Sequence, residues 1–234
     1  MNLLSRIWRS SLGKKYVMAV TGGALFLFVI GHMLGNLQIF LGPDAINRYG
    51  HFLQSTPEIL WPARIGLLAC VILHIVSAVK LSAENKAARP VAYATSTAPV
   101  AASYASRTML MSGLIIAAFI IYHLLHFTAQ IPGINFTQDF RTLHDAQQRH
   151  DIFRMMVLGF SQPLVSGFYL LAMALLCLHL SHGVSAMFQS LGLKCACCPC
   201  LPKCLAKGAA LVIFLGNSSI PMAILLGYGK EVLK

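Results

Sequence analysis

Four histidines stand in four separate uncharged, apolar stretches of the chain: His32, His74, His123 and His179. An ionisable imidazole in hydrocarbon is costly and calls for a reason. Four of them, placed to face one another across helices, read as axial ligands for two b-type haems, one pair to each iron. Ligation by two imidazoles leaves no coordination position open to oxygen and suits electron transfer. Small residues follow three of these histidines by three or four positions: Gly35, Ser77 with Ala78, and Gly183. They give a flat macrocycle room to lie against the backbone. His126 and His182 compete for the same role, each three residues beyond a chosen ligand and on the same helix face. Their alternative uses are to receive haem propionates or to hydrogen-bond a quinone. A lone membrane histidine is more often a hydrogen-bonded packing residue, so the case rests on pairing. His51, His144 and His150 fall in polar segments and read as solvated or interfacial.

The elements that must position these rings are membrane helices. The 234 residues are 57% hydrophobic and only 11% charged, with mean hydropathy +0.70; a soluble domain carries about a quarter charged residues. The expected architecture is a single all-α membrane domain over residues 1–234. Five spans are expected at about 16–41, 61–81, 108–129, 163–188 and 208–228, each near the roughly 20 residues that cross hydrocarbon. The basic head from Arg6 to Lys15 runs into an apolar stretch too long for a cleaved signal, so a retained first span is expected. Arg64 lies where it can snorkel outward. No internal period of 20 to 50 residues is evident. Pro90 to Ser106 reads as an exposed loop, and 135–154 as a segment that can form an interfacial helix.

The net charge of +11 lies in short blocks between apolar runs, without interleaved aromatics, which argues against nucleic acid and for membrane orientation. The N-terminal segment and the second and fourth connections together hold eleven basic residues and one acid, Glu84, against seven basic residues and six acids on the other side. The expected orientation puts the N-terminus in the cytoplasm and the C-terminus outside. Depth then pairs the ligands. His32 and His123 lie roughly 25 and 24 Å along helices that enter from inside, at 1.5 Å per residue. His74 and His179 lie roughly 9 and 14 Å from the inner ends of their helices. Two stacked haems, separated by about 10 to 15 Å, are therefore expected within the five-helix bundle.

Five of the seven cysteines fall in CACCPCLPKC: Cys195, Cys197, Cys198, Cys200 and Cys204. A cytoplasmic placement argues against disulfides. Cys195, Cys198, Cys200 and Cys204 could hold zinc or an iron–sulfur cluster, but the tract lacks a second knuckle and a reduced loop is the plainer reading. Cys70 and Cys177 read as small packing residues. No C-x-x-C-H occurs, so a covalent c-type haem is not expected.

The chain resembles, over nearly its whole length, the five-helix, two-haem cytochrome b subunit of succinate dehydrogenase and fumarate reductase. The matching stretches are GHMLGNLQIF (Gly31 to Phe40), ILHIVSA (Ile72 to Ala78), IYHLLHFT (Ile121 to Thr128), CLHLSHG (Cys177 to Gly183) and DIFRMMVLGFSQP from Asp151. The resemblance implies His32 and His123 as ligands of the distal haem, and His74 and His179 of the proximal haem. In the last motif the family's ligand is the first histidine, which decides against His182. It further implies a flavoprotein and an iron–sulfur subunit on the cytoplasmic face, a place in the tricarboxylic acid cycle, and exchange of electrons with a quinone, menaquinone being the expected type. A higher oligomer of that complex is compatible with it. The chain itself carries no nucleotide loop and no carboxylate pair for dicarboxylate chemistry. Some two-haem fumarate reductases carry a membrane glutamate before the last ligand; Cys177 stands there, and no span contains Asp or Glu, so a copied proton path is not expected. A quinone needs an apolar slot with one or two polar groups at its carbonyls; Gln38, Arg48, Tyr49, His51 and the neighbouring Asn36 are candidates, each equally readable as an interfacial anchor. Two other functions compete: a di-haem cytochrome b of another quinone-linked dehydrogenase, and a metal or solute transporter, which would show paired repeats or broken helices.

Overall fold

A computed structural model describes residues 2–88, 104–134, 139–193, 198 and 200–233. Among these the protein is helical, with no strand; a single antiparallel bridge joins His144 and His150. A short α1 (Leu3–Arg9) leads into α2 (Ser11–Asn36), which tightens into a 3-10 turn over Leu37–Leu41. Then come α3 (Pro43–Gln54), α4 (Pro57–Ala87), α5 (Tyr104–Arg107) and α6 (Met109–His123). The last continues as a π-helical turn over Leu124–Thr128. A 3-10 turn at Phe140–Thr142 precedes α7 (Ile152–Phe160), α8 (Pro163–Ser190) and α9 (Leu201–Leu225).

Five helical stretches among the described residues are long and apolar enough to cross a membrane: Ser11–Leu41, Pro57–Ala87, Met109–Thr128, Pro163–Ser190 and Leu201–Leu225. Their most apolar windows are only 11–33% buried inside the protein, and leucines such as Leu41, Leu164 and Leu226 stand more than three-quarters exposed. Apolar surface on that scale is unusual for a soluble monomer and is what lipid covers. The spans differ from the sequence expectation at their ends. The first and last begin earlier, at Ser11 and Leu201, and the second extends from Pro57 to Ala87, because polar residues continue a helix past the apolar core without breaking it. In place of the interfacial helix expected over 135–154, the described part holds the 3-10 turn, a looped segment and the start of α7. Of the expected loop from Pro90 to Ser106, residues 104–106 belong to α5, and 90–103 lie outside the described residues.

The chain divides into two compact units. The first comprises Met1–Phe28, Ile65–Leu114 and Leu178–Ala210. In it Lys14, 1% exposed, is held by Glu84 at 2.9 Å and by the Trp8 carbonyl at 3.2 Å. The Lys80 ammonium lies over the Trp8 ring, 4.9 Å from its centre. Ser77, on α4, is fully buried.

The second unit comprises Val29–Arg64, Ile115–Cys177 and Leu211–Lys234. Its core gathers Ile39, Ile46, Phe119, Phe153, Val157, Phe160, Tyr169 and Ile224, with a smaller cluster of Phe140, Leu143 and Met155. A cap of short elements is tied down by polar contacts. Gly42, at φ 100°, turns the chain into Pro43 at the first position of α3. The buried Asn47 donates to Asp151 at 3.1 Å and accepts from the Phe153 amide at 3.0 Å. Arg149 bridges Asp44 and Asp145 at 2.9 and 2.7 Å. Gly229, at φ 72°, leaves no space for a side chain: a Cβ there would lie 2.8 Å from Val157. Tyr228 donates to the Ile39 carbonyl at 2.8 Å.

His150 is locked as a neutral ring in this cap. The Gln130 amide donates to its Nε2 at 2.9 Å, and its Nδ1–H donates to the Leu143 carbonyl at 3.2 Å. Burial pushes it below its ordinary value of 6.5, the Leu143 carbonyl raises it, His144 lowers it and Asp151 raises it, leaving a net depression. Protonation would also set two donors, Nε2–H and the Gln130 amide, against each other. The folded value lies below the unfolded one, so the neutral ring's full stabilisation is present above pH 6.5 and is lost as pH falls from there toward the folded value. Amide-exchange protection of the cap, corrected for intrinsic rates, is expected to drop between about pH 8 and about pH 5. His150→Gln, which keeps one donor and one acceptor but does not titrate, is expected to flatten that drop. Protection independent of pH in the unaltered protein would contradict the assignment.

Candidate functional site

The four apolar-segment histidines meet as two pairs, one within each unit. In the first unit His74 of α4 faces His179 of α8, with ring centres 6.4 Å apart and planes at 64°. In the second, His32 of α2 faces His123 of α6, with ring centres 5.6 Å apart and planes at 87°. Both pairings are those expected from depth along the helices.

The first-unit rings are each held through Nδ1. His74 Nδ1–H donates to the Met18 carbonyl at 3.1 Å and lies 3.3 Å from the Thr21 hydroxyl, which itself donates to the Val17 carbonyl at 2.7 Å. His179 Nδ1 lies 3.4 Å from the Ser112 hydroxyl, which donates to the Met109 carbonyl at 3.2 Å. Glycines beside these hydroxyls make room for the rings. A Cβ on Gly22 would meet His74 Cε1 at 3.0 Å, and one on Gly113 would meet His179 Cε1 at 3.3 Å. The two supports share one pattern, a hydroxyl residue followed by glycine: Thr21-Gly22 on α2 and Ser112-Gly113 on α6. Gly22 precedes His32 by ten residues and Gly113 precedes His123 by ten. Each of these helices therefore supplies one histidine to the second unit and seats a histidine of the first. The repeated spacing was readable in the sequence, but only once a hydroxyl–glycine pair is known to matter.

In the second unit His123 Nδ1 lies 3.3 Å from the Tyr169 hydroxyl, and His126 Nδ1 lies 3.0 Å from the same oxygen. His126 is completely buried and its Nε2 has no partner. It lies in the π-helical turn that follows α6; such turns recur at functional positions. His32 differs from the other three, since its Nε2 accepts from Asn36 Nδ2 at 3.0 Å.

These residues fit a haem. Two metal–imidazole bonds of about 2.0–2.1 Å, with ring centres roughly 1.1 Å further out, put facing rings roughly 6.3 Å apart. The His74–His179 separation matches this, and the His32–His123 rings stand slightly closer. His74, His123 and His179 engage partners through Nδ1 and keep Nε2 for a metal, the arrangement that fixes tautomer and ring orientation in metal-binding histidines. At His32 a metal would have to displace the Asn36 amide. Ser77, one turn beyond His74, is buried with an unpartnered hydroxyl.

The other sequence candidates are dispersed. Gly35 does not present an open notch: the Tyr49 ring lies where its Cβ would be, within 2.8 Å, because α3 folds back on α2. Gly183 is open, with Met109 Cε as its nearest neighbour at 3.8 Å. His182 is half-buried. Arg48 is exposed and pairs with Asp44 at 3.7 Å, His51 is exposed, and Gln38 is half-buried in the 3-10 turn. A cavity of about 430 Å³ in the second unit is lined by Asp44, Asn47, His144, Asp145, Arg149 and Asp151 among others, and by none of Gln38, Arg48, Tyr49 or His51. Its polar, charged walls are not those of a quinone slot. Cys198, Cys200 and Cys204 are exposed and free, Cys195 and Cys197 lie outside the described residues, and no group of three potential metal ligands is formed among the described residues.

The glycine seats can be tested without any cofactor. Gly22→Val forces methyl groups into the His74 ring, and overpacking of this kind costs about 1–3 kcal/mol. Gly31, whose Cβ would meet nothing within 4 Å, is expected to accept alanine with a change from neutral to about 1 kcal/mol stabilising. Thermal unfolding in detergent reads both, and equal losses would contradict the placement of Gly22.

Searches against protein-family models, curated proteins and solved structures returned no match to this chain.

Proposed function

We propose that the protein is the membrane-anchoring cytochrome b subunit of a succinate:quinone oxidoreductase, passing electrons between an iron–sulfur subunit and quinone through two haems b. The observation that carries this reading is the meeting of four imidazoles from apolar helices as two facing pairs, at 6.4 and 5.6 Å. The motif order around His32, His74, His123 and His179 adds the family to which such pairs belong. A haem gripped by two imidazoles supplies one-electron transfer without an open coordination position.

The chain's own part is positional. His74 and His179 would hold one group, seated by the Met18 carbonyl, Thr21 and Ser112; His32 and His123 would hold the other, with Tyr169 behind His123. Apolar helix faces keep water from both pairs, and rings braced through Nδ1 need little rearrangement when charge changes nearby. Dicarboxylate chemistry belongs to a flavoprotein partner, which with an iron–sulfur subunit would dock on the cytoplasmic side, where the eleven basic residues gather. The quinone stands as a substrate of the complex.

Reduced-minus-oxidised spectra of purified variants test the ligands. His179→Ala is expected to remove one haem and spare the other, and His123→Ala to remove the other one. Loss of neither haem would refute the assignment. Affinity purification from native membranes is expected to bring down a flavoprotein and an iron–sulfur protein. Two haems accompanied by a different dehydrogenase would keep the cytochrome and overturn the succinate assignment.

A further inference from the structure

His123 and His126 both reach the hydroxyl of Tyr169, at 3.3 and 3.0 Å, in the most aromatic part of the second unit. Tyr169 is 6% exposed and packs edge-on against Phe119 and Phe160, with ring centres 5.0 and 4.9 Å away. His126 is 0% exposed and lies tilted against Phe127, with ring centres 3.9 Å apart. A phenol has one proton to give. It can donate to only one of the two imidazoles while accepting from the other.

We infer that Tyr169 is a positioning residue that sets the electron affinity of the haem held by His123, with His126 fixing the direction of its hydroxyl. This rests on the haem reading given above. A histidine that ligates through Nε2 carries its proton on Nδ1, so His123 donates to the Tyr169 oxygen. The Tyr169 proton then points to His126 Nδ1, and the His126 proton sits on Nε2, the buried atom that has no partner. Each bond polarises the next. The result is a more electron-rich imidazole on the iron, which favours the oxidised metal. The ring of His126 is therefore neither a spare ligand nor packing alone. It is the acceptor that orients Tyr169, and it lies in the π-helical turn at Leu124–Thr128.

The other pair lacks this device. His74 and His179 rest on a backbone carbonyl and on aliphatic hydroxyls that are themselves tied to their own helices. Changes at Tyr169 should thus touch one haem only.

The test is a redox titration of the full-length protein in detergent, followed by optical spectra that resolve the two haems. Tyr169→Phe keeps the ring and its packing, and is expected to retain both haems. The haem on His123 should become easier to reduce by about tenfold in its equilibrium, about 59 mV for one electron, while the other stays unchanged. Fluorotyrosine at position 169, which weakens the oxygen as an acceptor without altering the fold, should shift the same haem in the same direction by less. Two haems retained with both potentials unmoved in either protein would overturn the inference. A uniform shift of both haems would also overturn it, since that reports a general change of structure. Absence of haem from the unaltered protein would instead defeat the functional reading on which the inference stands.

Discussion

An imidazole inside an apolar helix has two nitrogens to satisfy and almost nothing polar around it, and this constraint organises the molecule. Buried polar atoms left unpaired cost free energy comparable to a hydrogen bond. Here one nitrogen of each paired ring is met by a polar group, from another helix at three rings (the Met18 carbonyl with Thr21, Ser112, Tyr169) and from its own helix at His32 (Asn36). Three of the four are pinned at Nδ1, which leaves their Nε2 atoms free of these contacts. Rings held this way cannot rotate freely, and the helices that carry them are placed by the same contacts. The hydroxyl–glycine pairs on α2 and α6 solve the steric half of the problem. The hydroxyl lies 3.3–3.4 Å from the ring's Nδ1, and the glycine beside it leaves space for the ring's edge.

The two units meet charge differently. In the first unit a buried lysine is offset by Glu84 and by helix-end carbonyls at Trp8 and Arg9; removing one partner of such a pair costs more than the pair itself contributes. In the second unit the cap is a web in which Asn47, Asp145, Arg149 and Asp151 satisfy one another. Asp145 shows the balance: burial raises its carboxyl, the Arg149 side chain and the Arg149 and Gln147 amides lower it, and the net displacement is downward. The cap closes over the Phe140, Leu143 and Met155 cluster and depends on Gly42 and Gly229 in backbone conformations that side chains rarely adopt.

Much of this could be read from residue order alone. The five spans follow from uncharged stretches, and the pairing of His32 with His123 and His74 with His179 follows from counting residues along helices of known rise. What escaped was whatever depends on chains folding back. Helix α3 is half polar and begins at Pro43, outside the uncharged stretches; it brings Tyr49 within 2.8 Å of where a Gly35 Cβ would lie, leaving no open notch for a macrocycle there. Tyr169 is one aromatic residue in a long apolar run, 46 positions from His123, and nothing local marks it. Thr21-Gly22 and Ser112-Gly113 are ordinary dipeptides until the rings they seat are known. The cysteine tract is conspicuous in the sequence, yet no group of three potential metal ligands forms among the described residues; the polar residues near His32 are weakly marked and do not line the cavity of about 430 Å³.

Haem content with axial-ligand spectroscopy on the purified chain tests most directly the proposed ligation of two irons by four imidazoles. The expected result is two non-covalent b-type haems per polypeptide, each showing the near-infrared magnetic circular dichroism of bis-imidazole ligation. A chain that purifies folded without pigment, or whose iron carries a different axial pair, would contradict it.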